Sequence, residues 1–286
     1  MKDSDRSYRP RLRVLMISQR MPPHIAGAEL QALGLSRALI RLGVDVRIAT
    51  TRFSSGLRAH EIIEGVEVRR LPVLRANPDD SPDGPLAAKA SIFASAASYV
   101  ATHRRDYDIV HGHCLSTASI GAAMGARIAR RPVLIKPSLG GADGEISKIV
   151  GSPFAKLATG LLRGVDRFAV LDSGIAQELA ELGVRRDRLT SVPNGLDLER
   201  FKPATCEERK QIRARLNLPS GQIALFVGQI IRRKGVDRLL EAWRDVVASV
   251  DDAWLIFVGE GELSQAVREQ AALPGSRILY FGVRRD

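Results

Sequence analysis

The sequence predicts an α/β protein of two parallel-sheet domains, the second of them incomplete. Three observations carry this reading. Short apolar runs alternate with amphipathic stretches from residue 13 onward. The charged segment 199–219, bracketed by Pro203 and Pro219, separates two such series. After it only three strand-like runs follow before Asp286. Alternation of this kind implies right-handed crossovers and a parallel sheet covered on both faces. The first domain is placed at 1–198 and the second at 199–286.

The elements follow in order. Residues 13–18 (RVLMIS) form an apolar run of the buried parallel-strand type. Pro22, Pro23 and Gly27 mark a loop. Within 29–42, Leu30, Leu33, Ala38 and Leu42 recur at helical spacing, and Gly43 suits a C-terminal cap. Residues 44–50 read as a strand, and 62–74 as a pair of short strands or a strand with a turn. The breaker-rich 77–85 is a surface loop. An Ala-rich helix at 86–104 precedes a strand at 108–111, and a small-residue helix at 116–130 precedes a strand at 132–136. Residues 147–165 read as one amphipathic helix, with Lys148, Lys156 and Arg163 among Ile149, Phe154, Leu157, Leu161 and Leu162. A strand at 167–171, a helix at 173–182 and a short strand at 189–192 close the first domain. The second holds strands at 223–227, 254–258 and 278–281, with helices at 236–247 and 262–272. Three parallel strands alone leave an exposed edge and an uncovered apolar face, so a truncated chain, or one completed by another polypeptide, is expected.

Composition narrows the function. With 45% hydrophobic and 26% charged residues in 286, the chain has the make-up of a globular protein with ample core. Its net charge of +11 comes in bursts such as 127–131, 185–188, 209–215 and 232–234, which favours anionic partners. Nucleic acid has charge alone in its favour, and no nucleic-acid partner is expected. Cys114 and Cys206 match no metal spacing and read as reduced thiols. The polar N-terminus lacks an apolar signal core, and no apolar stretch reaches the roughly 18 residues of a membrane span. The expected location is cytoplasmic, and the basic residues of 147–165 suggest peripheral contact with an anionic membrane.

The most informative motif is 226–235 (FVGQIIRRKG), an apolar strand running into a glycine turn, a basic cluster and a helix. Backbone N–H groups at such a turn and helix start, with cations beside them, form an anion site suited to a diphosphate. No G-x-G-x-x-G with a downstream acid follows the first strand, which argues against a dehydrogenase.

Four further segments fall in register with it: 21–29 (MPPHIAGAE), 108–113 (DIVHGH), 191–201 (SVPNGLDLERF) and 258–262 (VGEGE). Together they resemble the retaining glycosyltransferases of family 4, of the GT-B fold. The resemblance implies two facing Rossmann-like domains with the active site in the cleft between them. It implies transfer of a sugar from a nucleotide-diphosphate sugar to a hydroxyl acceptor that is a glycan, lipid-linked or a small molecule. The hexosyl-transferring class is implied, with no cofactor and no obligatory metal. By the same resemblance His113 lies at the reacting sugar as the catalytic candidate. Gly27, Gly228, Gln229, Arg233 and Lys234 bind the donor diphosphate; Gln229 stands where the family carries arginine, so Arg232 or Arg233 is the candidate replacement cation. Gly27 is expected to permit a positive φ or a close backbone approach. Gly259, Glu260 and Gly261 lie on the nucleotide-base side, and Glu29, Lys136 and Ser138 on the acceptor side. Glu29 is equally readable as a first-turn acid complementing the helix dipole, and His111 as structural. The family's E-x7-E segment is missing, so impaired activity is expected, the alternative being a non-catalytic fragment or binding module built on the acceptor domain.

Overall fold

The computed structural model describes residues 11–23, 27–74 and 85–284. Residues 24–26 of the 21–29 motif and most of the breaker-rich loop, residues 77–84, lie outside the described residues. Two compact units emerge, Met1–Leu196 and Asp197–Asp286.

In the first unit the chain runs β1 (Arg13–Ser18), α1 (Gly27–Arg41), β2 (Asp45–Arg52), β3 (His60–Ile63), β4 (Val66–Pro72), α2 (Leu86–Thr102), β5 (Ile109–His113), α3 (Thr117–Ala129), β6 (Val133–Lys136), α4 (Glu145–Val150), α5 (Ala155–Arg163), β7 (Arg167–Val170), α6 (Ser173–Glu181) and β8 (Leu189–Ser191). The strands form one sheet in the order β3-β4-β2-β1-β5-β6-β7-β8. All pairings are parallel except that of β3 with β4 at the edge. Side chains of β1 alternate between two cores. Val14 and Met16 join Ala32, Leu33, Val46 and Ile48 on the α1 face. Leu15 and Ile17 join Ile92, Ala96 and Val100 of α2 and Ala122 and Ala126 of α3 on the other. Burial on both faces is why these strands read as continuous apolar runs.

The chain leaves β1 toward β2 on one side and returns to β5 on the other. β1 and β5 therefore flank the point where strand order reverses, the place at which open α/β sheets bind ligands beyond their strand C-termini.

Two expectations are corrected. The single helix at 147–165 is two, α4 and α5, broken over residues 151–154. Gly151 ends the first, and Pro153, which cannot donate to a helix ladder, prevents continuation. The strand expected at 108–111 runs on to His113, which is the last residue of β5 and still pairs with Ser18 and Lys136.

The second unit holds α7 (Cys206–Arg215), β9 (Gln222–Val227), α8 (Val236–Ser249), β10 (Ala253–Val258), α9 (Ser264–Ala271) and β11 (Ile278–Tyr280). Its three strands are parallel in the order β11-β10-β9. A small core of Ile230, Val236, Trp243, Leu255, Phe257, Val267 and Ile278 lies under α8 and α9. On the edge strand β9, Leu225 and Val227 are 62% and 68% exposed. Among the described residues no helix is long and apolar enough to cross a membrane.

Candidate active site

At the switch point of the first unit, parallel register sets Ser18, His113 and Lys136 side by side at the C-terminal ends of β1, β5 and β6. All three are buried. Burial first, then the charge of Lys136, pushes the His113 imidazole down to about 4, with a hydrogen bond to the Ala28 backbone opposing. His113 is therefore neutral at pH 7, with one N–H to donate and one ring nitrogen to accept, and its buried Nδ1 has no hydrogen-bond partner among the described residues. His111, one pleat back, is pushed to about 3 by burial and by its neighbours His113 and Lys136.

Lys136 donates from Nζ to Asn194 Oδ1 at 2.6 Å, and burial lowers its pKa. This contact ties the strand end to the segment 191–201 noted in the sequence. Ser138 gives its hydroxyl to Glu145 Oε1, while the Leu115 and Ser138 amides donate to Glu145 Oε2 at 2.8 and 3.0 Å. One carboxylate thus joins the loop after β5 to the loop after β6. Desolvation raises the Glu145 pKa, with these hydrogen bonds opposing. Cys114, in the left-handed region at φ 69°, is pushed up to about 12 by burial and by the nearby carboxylates of Glu145 and Glu29. Its thiol is not a nucleophile at neutral pH.

Among the sequence candidates on this side, His113 and Lys136 come together, and Glu29, buried in the first turn of α1, lies close enough to Cys114 to be felt electrostatically. Lys136 and Ser138 are both held by internal hydrogen bonds. The expectation for Gly27 is corrected: it opens α1 without a positive φ, and among the described residues a β-carbon there would meet nothing within 4 Å, so neither a left-handed turn nor a close backbone approach within the protein calls for glycine. The roles of Glu145, Asn194 and Cys114 were missed. A glutamate opening a helix reads as a dipole complement, and no spacing links it to Leu115, 30 residues earlier.

In the second unit the two glycine turns after β9 and β10 interlock. Gly228 (φ 152°) donates to Val258 O at 3.0 Å, Ile230 to Glu260 O at 3.0 Å, and Leu263 to Ile230 O at 3.0 Å. A β-carbon on Gly259 (φ 139°) would lie 1.9 Å from Gly228 O, and one on Gly261 2.4 Å from Ile230 O. The diphosphate-side and base-side candidates thus form one assembly at adjacent strand ends. The basic cluster sits on a separate one-turn 3-10 helix, residues 232–234, and Gly235 at φ 73° turns the chain into α8 without a side-chain cap.

That geometry sorts the cations. Arg232 is committed: its amide donates to Glu262 and its guanidinium to Asp237 Oδ2 at 3.0 Å. Arg233 and Lys234 are exposed and their side chains make no hydrogen bond or ion pair among the described residues, and Gln229 is exposed beside them. Of the two candidates to replace the family arginine, Arg233 is the uncommitted one. Glu260 pairs with Arg268 at 3.0 Å. Among the described residues no group of three or more His, Cys, Asp or Glu could hold a metal ion.

Polar groups gathered at the strand C-termini of two parallel α/β units define a ligand-binding protein of the Rossmann-like type. Comparison with known proteins gives the family. Residues 26–195 match the family described as "Glycosyl transferase 4-like domain", and residues 208–277 match "Glycosyl transferases group 1". The chain belongs to this family of glycosyltransferases. It is 30% identical over 230 residues to D-inositol 3-phosphate glycosyltransferase 1 of Catenulispora acidiphila, covering 76% of this chain and 51% of that protein. It is 28% identical over 268 residues to D-inositol 3-phosphate glycosyltransferase of Xylanimonas cellulosilytica, covering 86% and 61%. The chain thus spans about half the length of the first of these relatives. Its fold is that of the GT-B glycosyltransferases. Anabaena HepE in complex with UDP-glucose superposes with a TM-score of 0.67 at 17% identity, over 96% of this chain and 70% of that one. Sucrose-phosphate synthase from Thermosynechococcus elongatus gives 0.66 at 20% identity, over 96% and 71%.

Proposed function

We propose that the chain serves a retaining glycosyltransferase reaction, moving a hexosyl group from a nucleotide-diphosphate sugar to a hydroxyl acceptor. The observation that carries this reading is the interlocked pair of glycine turns at 228 and 259 with two uncommitted cations, Arg233 and Lys234, beside the uncapped start of α8. Breaking the bond from the sugar C1 to the diphosphate leaves charge on a phosphate oxygen. Fixed cations and backbone N–H groups lower the barrier by stabilising it. The acceptor oxygen forms its bond to C1 on the same face, and its proton passes to the departing phosphate. Neutral His113 orients sugar hydroxyls by donating one hydrogen bond and accepting another. Lys136 and Glu29 shape the acceptor side, and the names of the inositol-phosphate relatives make a phosphorylated inositol the first acceptor to assay.

Isothermal titration with UDP-glucose and GDP-mannose tests the donor half. Saturable binding of one of them, weakened about tenfold by Lys234→Ala, supports the reading; no binding of either at millimolar concentration overturns it. A peripheral anionic-membrane contact belongs to the same proposal, because Val150, Phe154 and Leu157 are exposed among Lys148 and Lys156. Equal flotation with neutral and anionic liposomes would remove it.

A further inference from the structure

The opposite end of the first unit's sheet carries a second feature. Where β6 and β7 begin, a hollow of about 410 Å³ lies between the C-terminal ends of α3 and α5. Its floor is apolar, from Ala126, Val133, Leu161 and Val165, all buried. Arg127, Arg130 and Arg131 stand around it, with Asp166 the one carboxylate in its lining.

Arginines at helix ends ordinarily bind the last carbonyls, but here the backbone has taken that role. The Arg130 amide reaches Ala126 O and Arg127 O, the Arg131 amide Ala126 O, and the Gly164 amide Leu161 O and Leu162 O. Arg131 spends its guanidinium on Arg104 O, at 3.1 Å from Nε and 2.8 Å from Nη2. Nearby, Arg163 is spent on Leu182 O, and Arg188 on Arg163 O and Val165 O. Asp166 Oδ2 is taken by the Val133 amide at 2.8 Å. Of these, only the side chains of Arg127 and Arg130 have no hydrogen bond or ion pair among the described residues. Arg130 also holds φ 55° at the cap position where glycine is usual, so a charged side chain occupies a place that backbone energetics would give to glycine.

We propose that this hollow binds an aliphatic anion, a phosphate monoester on an apolar tail. The tail lies on the Ala126–Val165 floor and the head between Arg127 and Arg130, whose fork geometry suits phosphate oxygens. The same chemistry is offered by a free single-chain phosphate and by phosphatidic acid in a bilayer. Isothermal titration with dodecyl phosphate below its micelle concentration, with inorganic phosphate in parallel, reads the site directly and involves no transferase activity. Saturable binding of dodecyl phosphate at least tenfold tighter than inorganic phosphate is expected, with a loss of at least tenfold in R127A/R130A. Gly164→Leu, whose side chain would extend toward Arg127 Nη1, provides a second variant that blocks the hollow and leaves both cations in place. Flotation with phosphatidic acid against phosphatidylcholine vesicles separates the sources: binding to the former that is lost in R127A/R130A assigns the membrane, and dodecyl phosphate binding without it assigns a free ligand. Absence of saturable dodecyl phosphate binding, equal binding of inorganic phosphate, or binding unchanged in either variant overturns the proposal.

Discussion

Gly259 has no room for a β-carbon, because Gly228 O occupies the place where one would sit, and its φ of 139° lies outside what other residues tolerate. Gly259→Ala must push the two turns apart. We expect a loss of about 2 kcal/mol or more in unfolding by denaturant, and loss of donor binding if the diphosphate lies across these turns. A sharper comparison concerns the cations. Arg233→Ala and Lys234→Ala should each weaken donor binding about tenfold, while Arg232→Ala, which removes a side chain already paired with Asp237, should change it less than threefold. Titration calorimetry on the three variants decides this. The two buried histidines set the acid limit. Their folded-state values near 3 and 4 lie below the ordinary 6.5, so the unfolded chain takes up protons more readily. Stability is then full above pH 6.5 and falls as pH drops through 4 toward 3. The slope should approach about 1.4 kcal/mol per pH unit for each histidine being protonated. His111→Asn should flatten this dependence in urea unfolding measured from pH 7 to 4. Residues of this kind differed in how legible they were. Lys234 and Gly259 sit in local motifs. Glu145 acts on an amide 30 residues away, and Arg232 and Arg233 became distinguishable only once Asp237 was seen beside one of them.

The helices α2 and α3 approach so closely that a β-carbon on Gly121 or Gly125 would lie 2.4 Å from a backbone oxygen, of Phe93 and Ala97 respectively. This is the reason α2 is rich in Ala and Ser and α3 in Ala and Gly: only small residues allow two helix backbones to pack this tightly. Gly121→Ala and Gly125→Ala, which on an isolated helix would be favourable, should here destabilise by about 1–3 kcal/mol each, read as a lower midpoint in thermal unfolding. The composition of these helices was plain in the sequence, and what it was for was not. The same gap explains the helix read as continuous over 147–165. Its apolar residues keep helical spacing on both sides of the break, so periodicity alone runs through Pro153, whereas the backbone cannot.

Among the described residues the two units carry separate cores of unequal size, a two-sided one of about forty buried apolar residues in the first and one of eight in the second. Differential scanning calorimetry should therefore show two transitions, the second unit melting first. A nucleotide sugar at a hundred times its dissociation constant should stabilise that unit alone, by about 2.7 kcal/mol; a shift confined to the first unit would contradict the donor assignment. By itself the sequence determined the α/β class, the order of nearly every strand and helix and the family, because these follow from periodicity, turn residues and short motifs within a few positions of one another. Tertiary structure alone decided which strand ends became neighbours. It set Ser18, His113 and Lys136 abreast, joined two loops through Glu145, interlocked the turns at 228 and 259, and left Arg127 and Arg130 uncommitted over an apolar hollow. Each of these depends on register and crossover between residues far apart in the chain, and on which partners other groups have already taken.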